Sequence, residues 1–192
     1  INLSRYLPDR RDLNRSFPGH FKGALASRVA KTFFDEIVSK CTLGIDLHTA
    51  SIHKDNLPQV RTNTNNEYTL MLARAFEAPV VLHSELRDGS LRAVAQEKGI
   101  PILLYEAGEA LRLDEKSIKI GVQGIINVLR ANEMLPTLRS KKSTQIKTVL
   151  TKSSTWIRAQ ESGMIQTLKK LGDVVKEGEV IARIHSLFDD RE

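Results

Sequence analysis

What most constrains this chain is the way its hydrophobic period switches along the first two thirds of its length. Over 21–40, Leu25, Val29, Phe33 and Ile37 recur every fourth position, with Lys22, Arg28, Lys31 and Glu36 among them; that spacing predicts an amphipathic helix with this stripe inward. Over 42–48 the period drops to two. Leu43, Ile45 and Leu47 share one face, and Gly44, Asp46 and His48 share the other, as in a strand. Residues 50–66 read as loop. Asn66 is placed to cap a second helix to about Glu77, with Tyr68, Met71, Leu72, Ala75 and Phe76 inward. A short strand follows at 79–83. Ser90 opens another helix, which Gly99 closes. The run 100–106, IPILLYE, is continuously apolar until its final acid, the signature of a buried parallel strand. Asp114 then caps a helix striped by Ile118, Val122, Ile125, Ile126 and Leu129. Strands alternating with helices predict an α/β layer with helices on the sheet faces.

The pattern breaks after Pro136. Residues 137–146 are polar and basic, a linker by composition, and from 147 onward short β-rich runs are interrupted at Gly163, Gly172 and Gly178. The expected organisation is therefore an α/β domain over 1–136 and part of a small all-β domain over 147–192. No apolar run approaches the ~20 residues of a membrane span. The opening INLSRYLPDRRD lacks the apolar middle of a secretion signal, so a cytoplasmic protein without membrane contact is expected. One cysteine, Cys41, excludes an internal disulfide framework. A net charge of +6 suits anionic small molecules as well as nucleic acid, but aromatics make up only 5%, a poor supply of stacking platforms for single strands. Nucleic acid is not the expected partner, and oligomeric state is not legible.

Three polar stretches stand out: Asp12-Leu13-Asn14-Arg15, Asp46-Leu47-His48-Thr49 and Glu106-Ala107-Gly108. The last two sit at the ends of predicted strands, where open parallel sheets bind ligands. An imidazole, a carboxylate and a guanidinium gathered there could bind a metal, move a proton and hold an anion. His83 and Glu85 also share a face, but nothing supplies a third ligand beside them.

These stretches, in the order RYLPDRRDLNRSFPG, GIDLHT, NLPQVR, GSLRAVAQEKGIP and YEAGE, resemble the succinylglutamate desuccinylase/aspartoacylase family of the zinc carboxypeptidase superfamily. The resemblance covers residues 1 to about 135, and it implies a zinc-carboxypeptidase-like mixed sheet flanked by helices. It also implies zinc-dependent hydrolysis of an N-acyl, acidic amino acid. His48 then matches a zinc ligand, and Glu106 the residue that activates the metal-bound water and later protonates the leaving amine. Asn14 and Arg15 match the pair that holds the substrate carboxylate. Arg5 matches an arginine that polarises the scissile carbonyl, and Arg61 and Arg92 fall in further matching stretches as substrate contacts. The tail, GMIQTLKKLGDVVKEGEVIARI, is similar to a biotinyl/lipoyl-type half-barrel. It has no lysine over 185–188, where a carrier lysine would be presented, so covalent carriage of biotin or lipoate is not expected.

The family also draws a His and a Glu ligand from an H-x-x-E segment upstream of DLNR, and no H-x-x-E occurs in this sequence. The expectation is an internal fragment of a longer zinc amidohydrolase, inactive by itself. The alternatives are a non-catalytic ligand-binding relative and a metallocarboxypeptidase.

Overall fold

The computed structural model describes residues 3–137 and 147–186. Two compact units divide the chain, Ile1–Ser153 and Ser154–Glu192.

The first unit is built on five strands: β1 (Gly44–His48), β2 (Asn56–Thr62), β3 (Val80–His83), β4 (Ile102–Gly108) and β5 (Val149–Thr151). Their order across the sheet is β1-β4-β2-β3-β5. β1 runs parallel to β4, β3 runs parallel to β2 and β5, and the two groups meet antiparallel where β2 pairs with β4. The sheet is thus mixed and carries helices on both faces, in keeping with the alternation of strand and helix along the sequence. Four helices accompany it: α1 (Leu25–Glu36), α2 (Glu67–Phe76), α3 (Leu91–Glu97) and α4 (Glu115–Ala131).

Local chemistry sets the helix ends. Asn66, Ser90 and Asp114 each accept a backbone N–H of the first turn through the side chain, satisfying donors the helix cannot. Gly99 ends the α3 region at φ +73°, where a side chain would be strained. One sheet face is closed by α2 and α4. Val60, Leu72, Phe76, Val81, Leu103 and Val128 are all buried there, and the Phe76 and Tyr105 rings stand 5.0 Å apart. α4 comes so near α2 that a Cβ on Gly124 would lie 2.2 Å from Phe76 Cε1. The other face is covered by α1 and α3 through Phe17, Ala30, Phe34, Val38, Val94 and Ile102.

Four expectations change. The 50–66 loop contains β2, a central strand; its inward residues are Pro58, Val60 and Thr62, and the proline and polar neighbours conceal the alternation. α1 is rotated relative to its predicted stripe. Ala26, Ala30 and Phe34 are buried, because small residues let the helix approach the sheet closely, whereas Leu25, Val29, Phe33 and Ile37 remain part-exposed. Tyr68 and Met71 of α2 and Ile118 and Val122 of α4 are likewise exposed rather than inward. Finally, 149–151, expected to begin the all-β part, add a strand beside β3 in the first sheet. The expected linker lies, residue 137 apart, outside the described residues.

In the second unit β6 (Met164–Thr167) pairs antiparallel with β7 (Ala182–His185), and this pair is its strand content among the described residues. Lys169 is ion-paired with Glu179 there.

Candidate active site

Sheet register assembles the site. His48 lies opposite Glu106 across β1 and β4, and Glu106 lies opposite Gln59 across β4 and β2. Directly paired residues point to the same side of a sheet, so Asp46 and His48, Leu104 and Glu106, and Gln59 and Arg61 share one face. It is the face covered by α1 and α3, because Ile102, two steps along from Leu104, packs in their core.

His48 Nε2 stands 2.9 Å from Asp46 Oδ2. A carboxylate at that distance requires the proton on Nε2, which leaves the Nδ1 lone pair free in the neutral ring. The Asp46 hydrogen bond raises the His48 pKa; burial opposes this, Asp46 and Glu106 add to it by charge, and Arg5 subtracts. Glu106 Oε2 accepts a hydrogen bond from Arg61 Nη1 at 3.1 Å, and both side chains are largely buried. The structure therefore brings His48, Glu106 and Arg61 together, with Arg5 within electrostatic reach.

Arg5 is held by Asp12, whose Oδ2 accepts from Nε at 2.9 Å and from Nη2 at 2.7 Å. The other oxygen of Asp12 accepts the backbone N–H of Asn14 and caps the 3-10 turn Leu13–Arg15. Asp12 belongs to the DLNR motif, yet sequence reasoning assigns it no such task. A signal for the cap exists, since an Asp two residues before Asn14 is an ordinary turn former.

Asn14 is engaged structurally: its Oδ1 accepts the N–H of Leu91 at 2.9 Å, at the start of α3. Arg15 donates to the carbonyl of Asn14, and among the described residues no hydrogen bond or ion pair joins it to His48, Glu106 or Arg61. Arg92, on α3, is 8% exposed. Its Nη2 donates to the Glu85 carbonyl at 2.8 Å and Ser84 Oγ at 3.1 Å, while Nη1 is buried with no partner among the described residues. Burial, with Arg61 and Arg87 nearby, pulls its pKa below the ordinary arginine value. His83 is bound on both nitrogens, to Thr64 and Glu85, and so is satisfied locally.

Among the described residues no three His, Cys, Asp or Glu side chains converge closely enough to hold a metal ion. His48 offers one imidazole, whereas a catalytic zinc takes three protein ligands. The described residues do not by themselves hold the ion. No helix among the described residues is long and apolar enough to cross a membrane.

Fold and site together define an α/β protein with a polar centre at the carboxyl ends of two parallel strands. Residues 1–132 match the family model for the succinylglutamate desuccinylase/aspartoacylase catalytic domain, and the chain belongs to that family. It is 27% identical over 187 residues to N-alpha-acetyl-L-2,4-diaminobutyric acid deacetylase of Halomonas elongata, a match covering 93% of this chain and 55% of the relative. The fold is similar to that of succinylglutamate desuccinylase/aspartoacylase from Rhodobacter sphaeroides (TM-score 0.82, 24% identity), covering 97% of this chain and 59% of that one. It is also similar to the product-bound ectoine utilization protein EutE (DoeB) from Ruegeria pomeroyi, at TM-score 0.81 and 24% identity over 98% of this chain and 60% of that one. The chain thus spans a little over half the length of the relatives it matches.

Proposed function

We propose that this chain carries part of the active site of a zinc-dependent hydrolase that cleaves the amide bond of an N-acyl amino acid. The observation that carries the proposal is the register pairing of His48 with Glu106 at the ends of β1 and β4, with Arg61 bonded to Glu106. The remaining ligands would come from polypeptide outside this sequence, with His48 Nδ1 contributing one bond. Zinc in such a site supplies a Lewis acid and a water acidic enough to be deprotonated near neutral pH.

The rest is work for this chain's own groups. The Glu106 carboxylate accepts a proton from the attacking water and returns it to the departing amine, a role that requires a carboxylate whose position is fixed. Arg61 fixes it through the 3.1 Å hydrogen bond. Asp46 holds the His48 ring in one tautomer and one orientation. Arg5, poised on Asp12, is the guanidinium that would turn to the carbonyl oxygen as negative charge builds on it. The α-carboxylate shared by all N-acyl amino acids would be held by the arginines. Arg92 Nη1 is a buried donor lacking a partner among the described residues, as expected of a group awaiting an anion. Asn14 and Arg15 would set the loop that faces that carboxylate.

Arginines in number favour an acidic substrate. The Halomonas relative is named for a diaminobutyric substrate, so side-chain charge is the point to test. In a protein that also supplies the remaining ligands, Glu106→Gln should lower turnover of N-succinylglutamate or N-acetylaspartate by about 10²–10⁴-fold while metal content is unchanged. Retained turnover would move the proton-transfer role elsewhere. Faster cleavage of N-acetyl-2,4-diaminobutyrate than of either acidic substrate would overturn the acidic assignment. The 192-residue chain mixed with zinc should show no deacylation.

A further inference from the structure

Glu109 closes the motif YEAGE and takes no part in the proposed chemistry. A carboxylate between a strand and a helix is ordinarily left to solvent. This one is only 25% exposed, and its Oε1 accepts the backbone N–H of His53 at 2.9 Å. It lines the same groove as His48 and Thr49. Its other oxygen stands 3.7 Å from Arg112 Nε, and that side chain is 71% exposed, so the ion pair is weak.

His53 is the third residue of the turn Ser51–Lys54, which the Lys54 N–H closes on the Ser51 carbonyl at 3.1 Å. Its φ is +62°. A turn with positive φ at that position selects glycine or asparagine, because a Cβ crowds the backbone there. Histidine is held so only where its surroundings impose it, and residues strained in this way gather at functional sites. Here the Glu109 carboxylate imposes it, since a charged acceptor binds an N–H more strongly than a neutral one. The turn lies in the connection 49–55, which leaves His48 and leads into β2. Ala50 N–H binds the Gly108 carbonyl at 3.0 Å, and Asn56 is paired with Gly108 in the sheet. Both ends of the connection are therefore fixed to the close of β4, and Glu109 fixes its middle. Released there, the turn would relax to an ordinary negative φ and pass the change back through Thr49 to His48.

We infer that Glu109 is a positioning residue: by gripping His53 in its left-handed turn it sets the His48 strand end at the level of Glu106. The consequence for turnover rests on the hydrolase reading, whereas the grip itself is read from the backbone without it.

Hydrogen exchange of the 192-residue chain tests the grip. Glu109→Ala should speed exchange at the His53 amide at least about tenfold. Glu109→Gln should keep most of the protection, because its amide oxygen still accepts the N–H, and Arg112→Ala should change nothing. Circular dichroism of each variant checks that it folds. In a protein that also supplies the remaining ligands, at saturating zinc, Glu109→Ala should lower kcat about tenfold and leave KM within about twofold. Glu109→Gln should retain at least about half of kcat, and His53→Gly added to Glu109→Ala should restore most of the loss, since glycine takes the positive φ unaided. His53 exchange indifferent to Glu109→Ala, a loss that Glu109→Gln reproduces in full, or no recovery with His53→Gly would each overturn the inference. Turnover unchanged in Glu109→Ala would overturn it with the hydrolase reading intact. An unsubstituted protein that cleaves no N-acyl amino acid would overturn both.

Discussion

The two sides of the sheet are built from similar helices and are closed to different degrees. Under α2 and α4 the apolar residues are gathered into a continuous buried cluster around Phe76 and Leu103. On the other face, α1 buries Ala26, Ala30 and Phe34, and a stripe of larger residues, Leu25, Val29 and Phe33, is left part-exposed. Apolar periodicity is strong on both sides. Periodicity therefore identifies a helix, while the neighbouring layer decides which of its faces is the inner one.

Substitution can break that contrast. Phe76→Ala, in the closed core, should cost about 3–5 kcal/mol by chemical denaturation, whereas Val29→Ala on the open stripe should cost less than about 1 kcal/mol. Equal costs would mean that the stripe is covered in solution. Gly124→Ala is a smaller probe of the closed side. Its Cβ would meet the Phe76 ring at 2.2–2.5 Å, so a loss of about 1–3 kcal/mol is expected from overpacking. A further effect is read from pH. Tyr105 donates its hydroxyl to the Ser117 carbonyl at 2.8 Å, and burial pushes its pKa up to about 12. Unfolded tyrosine ionises near pH 10. Ionisation therefore favours the unfolded chain once the pH passes that value. The stabilisation is complete below about pH 10 and is lost as the pH climbs towards 12. Thermal melts across that window should fall more steeply for the native chain than for Tyr105→Phe.

Much of this fold is legible in the amino-acid sequence. Caps at Asn66, Ser90 and Asp114 announce helices because short polar side chains satisfy first-turn donors wherever they stand. The run ending at Glu106 reads as a buried strand because a continuous apolar stretch has no other economical place. β2 is not legible: Pro58 and Gln59 speak against a central strand, and its pairing with β4 rests on residues over forty positions away. The inner face of α1 is hidden for a related reason, since Ala26 and Ala30 carry little hydrophobic signal yet permit the closest packing. At the site, His48 and Glu106 can be placed at strand ends from sequence. That Arg61 bonds Glu106, or that Asn14 binds α3, depends on the antiparallel register and on a loop path, neither of which has a local signature.

The loop that carries the arginines is sewn to α3. Leu91 N–H binds Asn14 Oδ1, Phe17 N–H binds the Gly89 carbonyl at 3.0 Å, and a Cβ on Gly89 would sit 2.7 Å from the Arg15 oxygen. Arg15 and Arg92 thus ride on a single rigid part. Displacing the loop would tear two backbone donors, the N–H groups of Leu91 and Phe17, from their acceptors. The stitching makes the loop and the start of α3 move as one piece, whatever that piece faces.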